Sequence, residues 1–159
     1  MKKELNVYTD AEVKEVYDYI RDMTNSYYGA INRALEFLPR IHAHYQTFVT
    51  DMDFIDNFGL DEDKEACAKR WHAVLKQLAK EYKDAWSKAA FYNRGLKCAI
   101  KKARRVVRGD AAVPTFETTI GKLKFQLGNA CAFLRKSQTR KTLNAVRDAD
   151  AIVKRIEAL

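Results

Sequence analysis

The sequence predicts an all-α fold, an antiparallel bundle of about four helices in a single domain, residues 1–159. The chain holds only 6 Gly and 2 Pro, which is few for a sheet protein with many turns. Apolar residues make up 47% of it and recur at steps of three and four, the period of an amphipathic helix. No apolar run approaches the roughly 18 residues of a membrane helix. We therefore expect a globular helical protein with a sizeable core and no membrane span.

The first predicted helix begins at a capping box, Thr9-Asp10-Ala11-Glu12. In this motif the Thr hydroxyl accepts a hydrogen bond from a backbone N–H of the first turn, and the Glu side chain returns one to the Thr backbone. Apolar residues then recur with helical spacing up to Leu38. Pro39 lacks a backbone N–H, so we expect it to end or kink this helix near Leu38. A further helical piece is expected over residues 41–49.

The stretch TDMDFIDNFGLDED, residues 50–63, is the expected break between the first two helices. It carries six acidic residues and a Gly, and it has no helical period. It does not fit a calcium loop, because Ile55 stands where the loop needs its third oxygen ligand. Asp61 is better interpreted as the N-cap of the following helix.

Three more helices complete the predicted bundle. The second is long, from about residue 62 to residue 108, and Gly109-Asp110 closes it. Apolar residues at helical spacing predict the third helix between Ile120 and Leu134 and the fourth between Leu143 and Ile156.

Charge is distributed unevenly along the chain, whose net charge is +8. Residues 1–84, which also hold most of the aromatic residues, carry 12 Lys/Arg and 16 Asp/Glu, a net of −4. Residues 85–159 carry 17 Lys/Arg and 5 Asp/Glu, a net of +12. No acidic residue lies between Asp84 and Asp110. This asymmetry favours a polyanionic partner for the basic half; the alternative is internal pairing of the two halves.

The basic residues of the second helix share one face. At 100° per residue, six of them fall within an arc of about 100°, beside a stripe of apolar residues. A second basic cluster lies in LRKSQTRK, where short polar side chains stand next to Lys and Arg, a combination typical of phosphate and ribose contacts. The alternative for this cluster is a helix junction with Ser137 as N-cap. The candidate nucleic-acid-binding residues are Arg94, Lys97, Lys101, Lys102, Arg104, Arg105, Arg108, Arg135, Lys136, Ser137, Arg140 and Lys141.

Residues 91–159 resemble the bacterial small-subunit ribosomal protein twenty family of helical RNA-binding proteins. The resemblance rests on LKCAIKKARRVV, on Gly109-Asp110, and on FLRKSQTRK after 22 further residues. It implies ribosomal RNA contacts for seven residues: Lys101, Lys102, Arg135, Lys136, Ser137, Arg140 and Lys141. The chain departs from the family pattern at Arg135, where the family usually has His, and at Ser137, where it has Asn. Residues 1–84 have no counterpart in that family.

Metal binding and catalysis find little support in the sequence. His42 and His44 point about 200° apart on a regular helix, so they cannot both bind one ion, and no second Cys or His pair completes a zinc site with Cys67 and His72. There is no Gly-rich phosphate loop and no nucleophile elbow. We therefore predict no cofactor, no metal and no enzymatic activity. The three cysteines are expected to be unpaired, buried thiols in a reducing compartment, the cytoplasm.

The aromatic residues are expected mainly in the core. Two alternatives stay open: Tyr27-Tyr28 as a surface for a protein partner, and Phe91-Tyr92 as a stacking site for an unpaired base.

The leading functional hypothesis is a non-enzymatic helical subunit of a nucleoprotein complex. It would bind the phosphate backbone of RNA, with DNA as the second choice, through its basic helix face. One alternative is a protein-interaction module, an adaptor or inhibitor whose basic face binds an acidic protein. Another is a self-assembling coat or scaffold protein in which the two oppositely charged halves meet between copies.

Overall fold

A computed structural model describes residues 8–59, 61–110 and 115–159. In these ranges the chain forms four α-helices and no strand: α1 (Asp10–Phe58), α2 (Asp61–Val107), α3 (Thr119–Ser137) and α4 (Arg140–Glu157). The all-α class, the number of helices and the long second helix are confirmed.

The chain divides into two compact units. The first unit comprises residues 1–31 and 88–139, and the second unit comprises residues 32–87 and 140–159. Each unit therefore takes one segment of α1 and one of α2, and adds a short helix of its own, α3 or α4. This division differs from the acidic and basic halves, because each unit draws on both halves of the sequence.

In the first unit, α1 and α2 run antiparallel. The Nζ atom of Lys102 lies 5.9 Å from the ring centroid of Tyr19, and a Cβ built on Gly95 would lie 2.8 Å from Sδ of Met23. Gly95 thus permits a close approach of the two helices, because any larger residue would displace the Met side chain. The core of this unit includes three fully buried residues, one from each helix: Ile20, Leu96 and Leu123.

The second unit has the same plan, with α4 in place of α3. Its fully buried residues include Ile41, Leu75 and Ile156, again one from each helix. Two further bonds tie the helices together: the Trp71 indole N–H donates to Asp51 at 2.9 Å, and the Tyr82 hydroxyl donates to Asp150 at 2.5 Å.

The predicted start of α1 and the predicted Gly109 turn after α2 are present. The backbone N–H of Glu12 donates to the Thr9 hydroxyl at 3.1 Å, and the Thr9 backbone N–H donates to the Glu12 carboxylate at 3.3 Å. Both bonds of the capping box are therefore made. The second helix begins one residue earlier than predicted, because Asp61 is the first residue of α2 and not its N-cap. Gly109, two residues after the end of α2, has a φ of 83°, a conformation that a residue with a Cβ adopts only at a cost.

Of the two outcomes expected at Pro39, an end of the helix near Leu38 is wrong, because α1 continues through Pro39 to Phe58. Pro39 is exposed, so its ring does not disturb the core. Phe37 and Ile41 on either side are buried. Their packing offsets the roughly 3 kcal/mol that an internal proline costs a helix.

The expected break over residues 50–63 is also wrong for its first part. Residues 50–58 are helical, and Met52 and Ile55 are half-buried there, which continues the apolar face of α1. Asp53 and Asp56 are exposed and point away from that face, so they hid the helical period without abolishing it. The helix ends before Gly59, where a Cβ would lie 2.8 Å from Cγ2 of Ile55.

Two smaller expectations fail as well. The three cysteines are unpaired, but only Cys67 is buried; Cys131 is half-buried and Cys98 is exposed. Ser137 is the last residue of α3 and not the N-cap of α4, which begins at Arg140. The aromatic residues are divided: some fill the core, but others lie on the surface.

Candidate nucleic-acid interface

The C-terminal part of α2 presents a continuous basic surface in the first unit. Its opposite side supplies the core, with five buried residues: Leu96, Ala99, Ile100, Ala103 and Val106. Because those residues fix the rotation of α2, the basic residues between them must face solvent. We call the exposed set the cationic face: Arg94, Lys97, Lys101, Lys102, Arg104, Arg105 and Arg108.

Within the described residues, no member of the cationic face forms an ion pair with a carboxylate. Two members contact neighbouring helices. Lys102 lies over the Tyr19 ring of α1, and Nη2 of Arg104 lies 3.6 Å from Sγ of Cys131 in α3. These contacts mark the two edges of the face, and the other five cations lie between them on its open side.

Helix α3 extends the basic surface. Arg104 contacts Cys131, and Asp110 contacts Lys124, so α2 and α3 run antiparallel. Continuing this register places Arg135 and Lys136 beside residues 97–101 of α2. Both side chains are exposed, and α3 contains no acidic residue. The structure thus brings two of the four charged residues in the second predicted cluster to the level of the cationic face.

Asp110, the first acidic residue after the cationic face in the sequence, is already paired with a lysine. Nζ of Lys124 donates to the Asp110 carbonyl at 2.6 Å and lies 3.0 Å from its carboxylate. The Lys124 side chain is largely buried, so this pair joins the end of α2 to the start of α3. Asp110 therefore does not relieve the repulsion among the exposed cations.

Helix dipoles account for part of this basic surface. Arg104 and Arg105 lie in the last turn of α2, and Arg135 and Lys136 lie in the last turn of α3. Cations at the negative end of a helix stabilise it by about 0.3–1 kcal/mol each. This effect decays within one turn, so it does not reach Arg94, Lys97 or Lys101. Those three like charges at i, i+3 and i+7 oppose helix formation slightly, and a fold requirement does not explain them.

The other predicted site residues lie elsewhere. The Ser137 hydroxyl donates to the Leu134 carbonyl at 2.9 Å and lies 2.7 Å from the Tyr27 hydroxyl. It holds the end of α3 against α1, which is a structural role. Arg140 and Lys141 are exposed in the first turn of α4, in the second unit. The positive end of a helix disfavours cations, so α4 gains no stability from these two.

Sequence reasoning missed one feature of the first unit. Phe116 and Phe125 form an aromatic pair with their ring centroids 4.5 Å apart, and both are exposed, by 65% and 42%. Phe116 precedes α3, so helical periodicity could not have identified it. Phe125 lies among polar residues of α3, and this unusual position could have been recognised in the sequence. Phe91, which the sequence did single out, is 62% exposed.

Metal binding and acid–base catalysis find little support among the described residues. These residues contain no group of three or more His, Cys, Asp or Glu side chains placed to hold a metal ion. His44 contacts the Arg40 carbonyl through Nδ1, and the His72 ring packs against Phe48. Burial and the bond to Asp150 raise the pKa of Tyr82 well above its usual range, so this hydroxyl stays protonated and is no general base. None of the described helices has a stretch apolar and long enough to cross a membrane.

No family model, curated protein or solved structure matches this chain. The similarity of residues 91–159 to the ribosomal protein twenty family therefore stays a hypothesis, and the functional argument depends on the geometry of the first unit.

Proposed function

We propose that this protein is a structural subunit that binds RNA through the phosphate backbone, without enzymatic activity. The observation that carries the proposal is the cationic face: seven exposed basic side chains on one face of α2, with no carboxylate paired to any of them among the described residues. From Arg94 to Arg108 the face extends about 21 Å along the helix axis. Lysines and arginines at this spacing match a run of phosphates and release condensed counterions when they bind.

The form of the face favours backbone contact over base recognition. Arg and Lys side chains on an exposed helix reach phosphates from many directions, and such contacts fix position without reading sequence. The narrow major groove of A-form RNA does not admit a helix, so we expect α2 to lie across the phosphates of a structured RNA. Arg135 and Lys136 widen the contact surface beside the middle of the cationic face.

A salt series tests the proposal. We would measure the affinity of nuclease-treated protein for a structured RNA, a duplex DNA of equal phosphate number and heparin. We would plot the logarithm of the RNA affinity against the logarithm of the salt concentration. If the cationic face binds several phosphates, the slope of this plot should be steeper than about −4, because each phosphate contact adds about −0.7 to −0.9 to the slope. We expect RNA to bind more tightly than DNA or heparin.

Two results would overturn the proposal. Affinity that barely changes when the salt concentration is doubled would exclude several simultaneous phosphate contacts. Equal weak binding to all three polyanions would show that the face has no preference for RNA, and an acidic protein would then be the partner to seek.

A further inference from the structure

The Phe116–Phe125 pair is an exposed aromatic surface that the fold of the first unit does not bury. Leu123, two residues before Phe125, is fully buried, and Lys124 is bound to Asp110. Helix α3 is therefore firmly seated at this point, yet the Phe125 ring stays on its outer side. Exposed aromatic rings cost solvation free energy, and these two neighbouring rings form a small apolar patch.

The surroundings of Phe125 on α3 are polar and open. At 100° per residue, Phe125 lies within about 60° of Lys122, Asn129 and Lys136 on the exposed side of the helix. Gly128 lies one turn further on, and a Cβ built there would meet nothing within 4 Å. The outer side of the aromatic ring is thus accessible to a flat ligand, with a basic and an amide side chain beside it.

The aromatic pair lies at one end of the cationic face. Lys124 is bound to Asp110, and Asp110 is two residues beyond Arg108, the last cation of the face. Phe125 follows Lys124 directly in α3. A nucleic acid strand that follows the cationic face from Arg94 towards Arg108 therefore arrives at the Phe116–Phe125 pair.

We propose that the Phe116–Phe125 pair stacks on an unpaired base, so that the ligand is an RNA in which a duplex adjoins a loop or bulge. This inference rests on the proposed RNA-binding function and names its substrate class. In a duplex the base faces are stacked on each other, whereas in a loop they are available to an aromatic side chain. The cationic face holds the phosphates of the stem, and the aromatic pair holds a base of the adjoining loop.

The experiment compares two RNAs at one salt concentration: a hairpin with an unpaired loop, and a blunt duplex that contains the same stem and is lengthened until it has the same number of phosphates. Stacking of one base adds about fivefold or more to affinity, so the wild-type protein should prefer the hairpin by at least that factor. A 2-aminopurine in the loop should lose fluorescence when the protein binds. Phe125→Leu should abolish the preference and leave the salt slope unchanged.

Matched variants separate stacking from general damage. Phe116→Leu changes the other ring of the pair outside the helix, and it should reduce the preference even if Phe125→Leu perturbs α3. Phe54→Leu changes an exposed ring of the second unit and should leave the preference intact. Helical circular dichroism and thermal melting establish that each variant is folded.

The outcomes distinguish this inference from the function on which it rests. Equal affinity for hairpin and duplex, with a steep salt slope, would overturn the stacking site and leave backbone binding in place. A hairpin preference that survives in both Phe116→Leu and Phe125→Leu would overturn it as well. A shallow salt slope with weak binding to both RNAs would overturn the RNA-binding function itself.

Discussion

The two units build the same arrangement of helices with different electrostatics. Each has one segment of α1, one segment of α2 and one short helix around an apolar core. The first unit carries 16 Lys/Arg and 8 Asp/Glu, a net charge of +8, whereas the second carries 13 of each and is neutral. The entire net charge of the chain therefore resides in the first unit.

The second unit shows that this helical arrangement does not need a charge imbalance. Its lysines are mixed with acids and some are paired, as Lys83 is with Glu157 at 2.6 Å and Lys64 with Asp56. Exposed pairs of this kind add little stability, but they avoid the repulsion that the cationic face of the first unit tolerates. We infer that the excess charge of the first unit serves binding and not folding.

The largest expected effect concerns the cores, where the two units should behave alike. Leu96→Ala in the first unit and Leu75→Ala in the second each remove a fully buried side chain of α2. Each should lower the free energy of unfolding by about 2–5 kcal/mol, since a cavity is left behind. Urea denaturation followed by circular dichroism measures this. A loss below about 1 kcal/mol in one variant would show that the unit concerned lacks a close-packed core.

Removal of positive charge from the exposed surface should lower RNA affinity in the first unit and much less in the second. One triple variant removes three cations from the cationic face: Lys97→Gln, Lys101→Gln and Arg105→Gln. At 0.15 M salt each lost phosphate contact should lower the RNA affinity about fivefold, so the triple variant should bind RNA about 100-fold more weakly. The control makes the same charge change on the same helix in the second unit: Lys69→Gln, Arg70→Gln and Lys80→Gln, all exposed.

The control triple should change RNA affinity much less, and its salt slope should stay that of the wild type. Fluorescence anisotropy with one structured RNA measures both proteins. Equal losses in the two triples would mean that net charge, and not the cationic face, determines binding.

Two buried tyrosines provide a smaller, matched comparison. Tyr27 in the first unit contacts the Ser137 hydroxyl, and Tyr82 in the second donates to the Asp150 carboxylate. Tyr27→Phe should cost about 1 kcal/mol and Tyr82→Phe about 2 kcal/mol, because a hydrogen bond to a charged acceptor is stronger. Thermal melts of the two variants test the order, and a greater loss in Tyr27→Phe would contradict it.

Tyr82 also predicts that the stability of the protein depends on pH. The pKa of Tyr82 is raised from its ordinary value of 10.0 in the folded protein. The unfolded chain therefore loses this proton first, so the stabilisation is complete below pH 10 and declines as the pH rises above it. Urea midpoints between pH 8 and pH 11 should fall less steeply in Tyr82→Phe than in the wild type. Identical slopes would show that Tyr82 makes no contribution.

The least perturbing test uses the native thiols. Cys98 is exposed among the residues of the cationic face, whereas Cys67 in the second unit is buried. A maleimide should therefore modify Cys98 in the folded protein and Cys67 only after unfolding. Bound RNA should slow the labelling of Cys98 several-fold, which mass spectrometry of the digested protein measures. Labelling of Cys98 at the same rate with saturating RNA would place the bound RNA elsewhere.

Local sequence patterns predicted the features that depend on one helix at a time. The capping box at Thr9, the helical period and the arc of cations on α2 follow from a rise and rotation that every α-helix shares. For the same reason, the exposure of Arg94, Lys97 and Lys101 was predictable: apolar residues beside them had to face a core. The sequence left open whether α1 ends or continues at Pro39, because the packing that offsets an internal proline comes from other helices.

By itself, then, the sequence determined the all-α class, the helical faces and the concentration of positive charge in the region of Arg94–Arg108. Only the tertiary structure decided that α1 continues to Phe58, that α3 adds Arg135 and Lys136 beside α2, and that Phe116 meets Phe125. The physical reason is that amphipathic periodicity acts over a few residues of one helix, whereas helix register and ring contacts depend on side chains far apart in the chain.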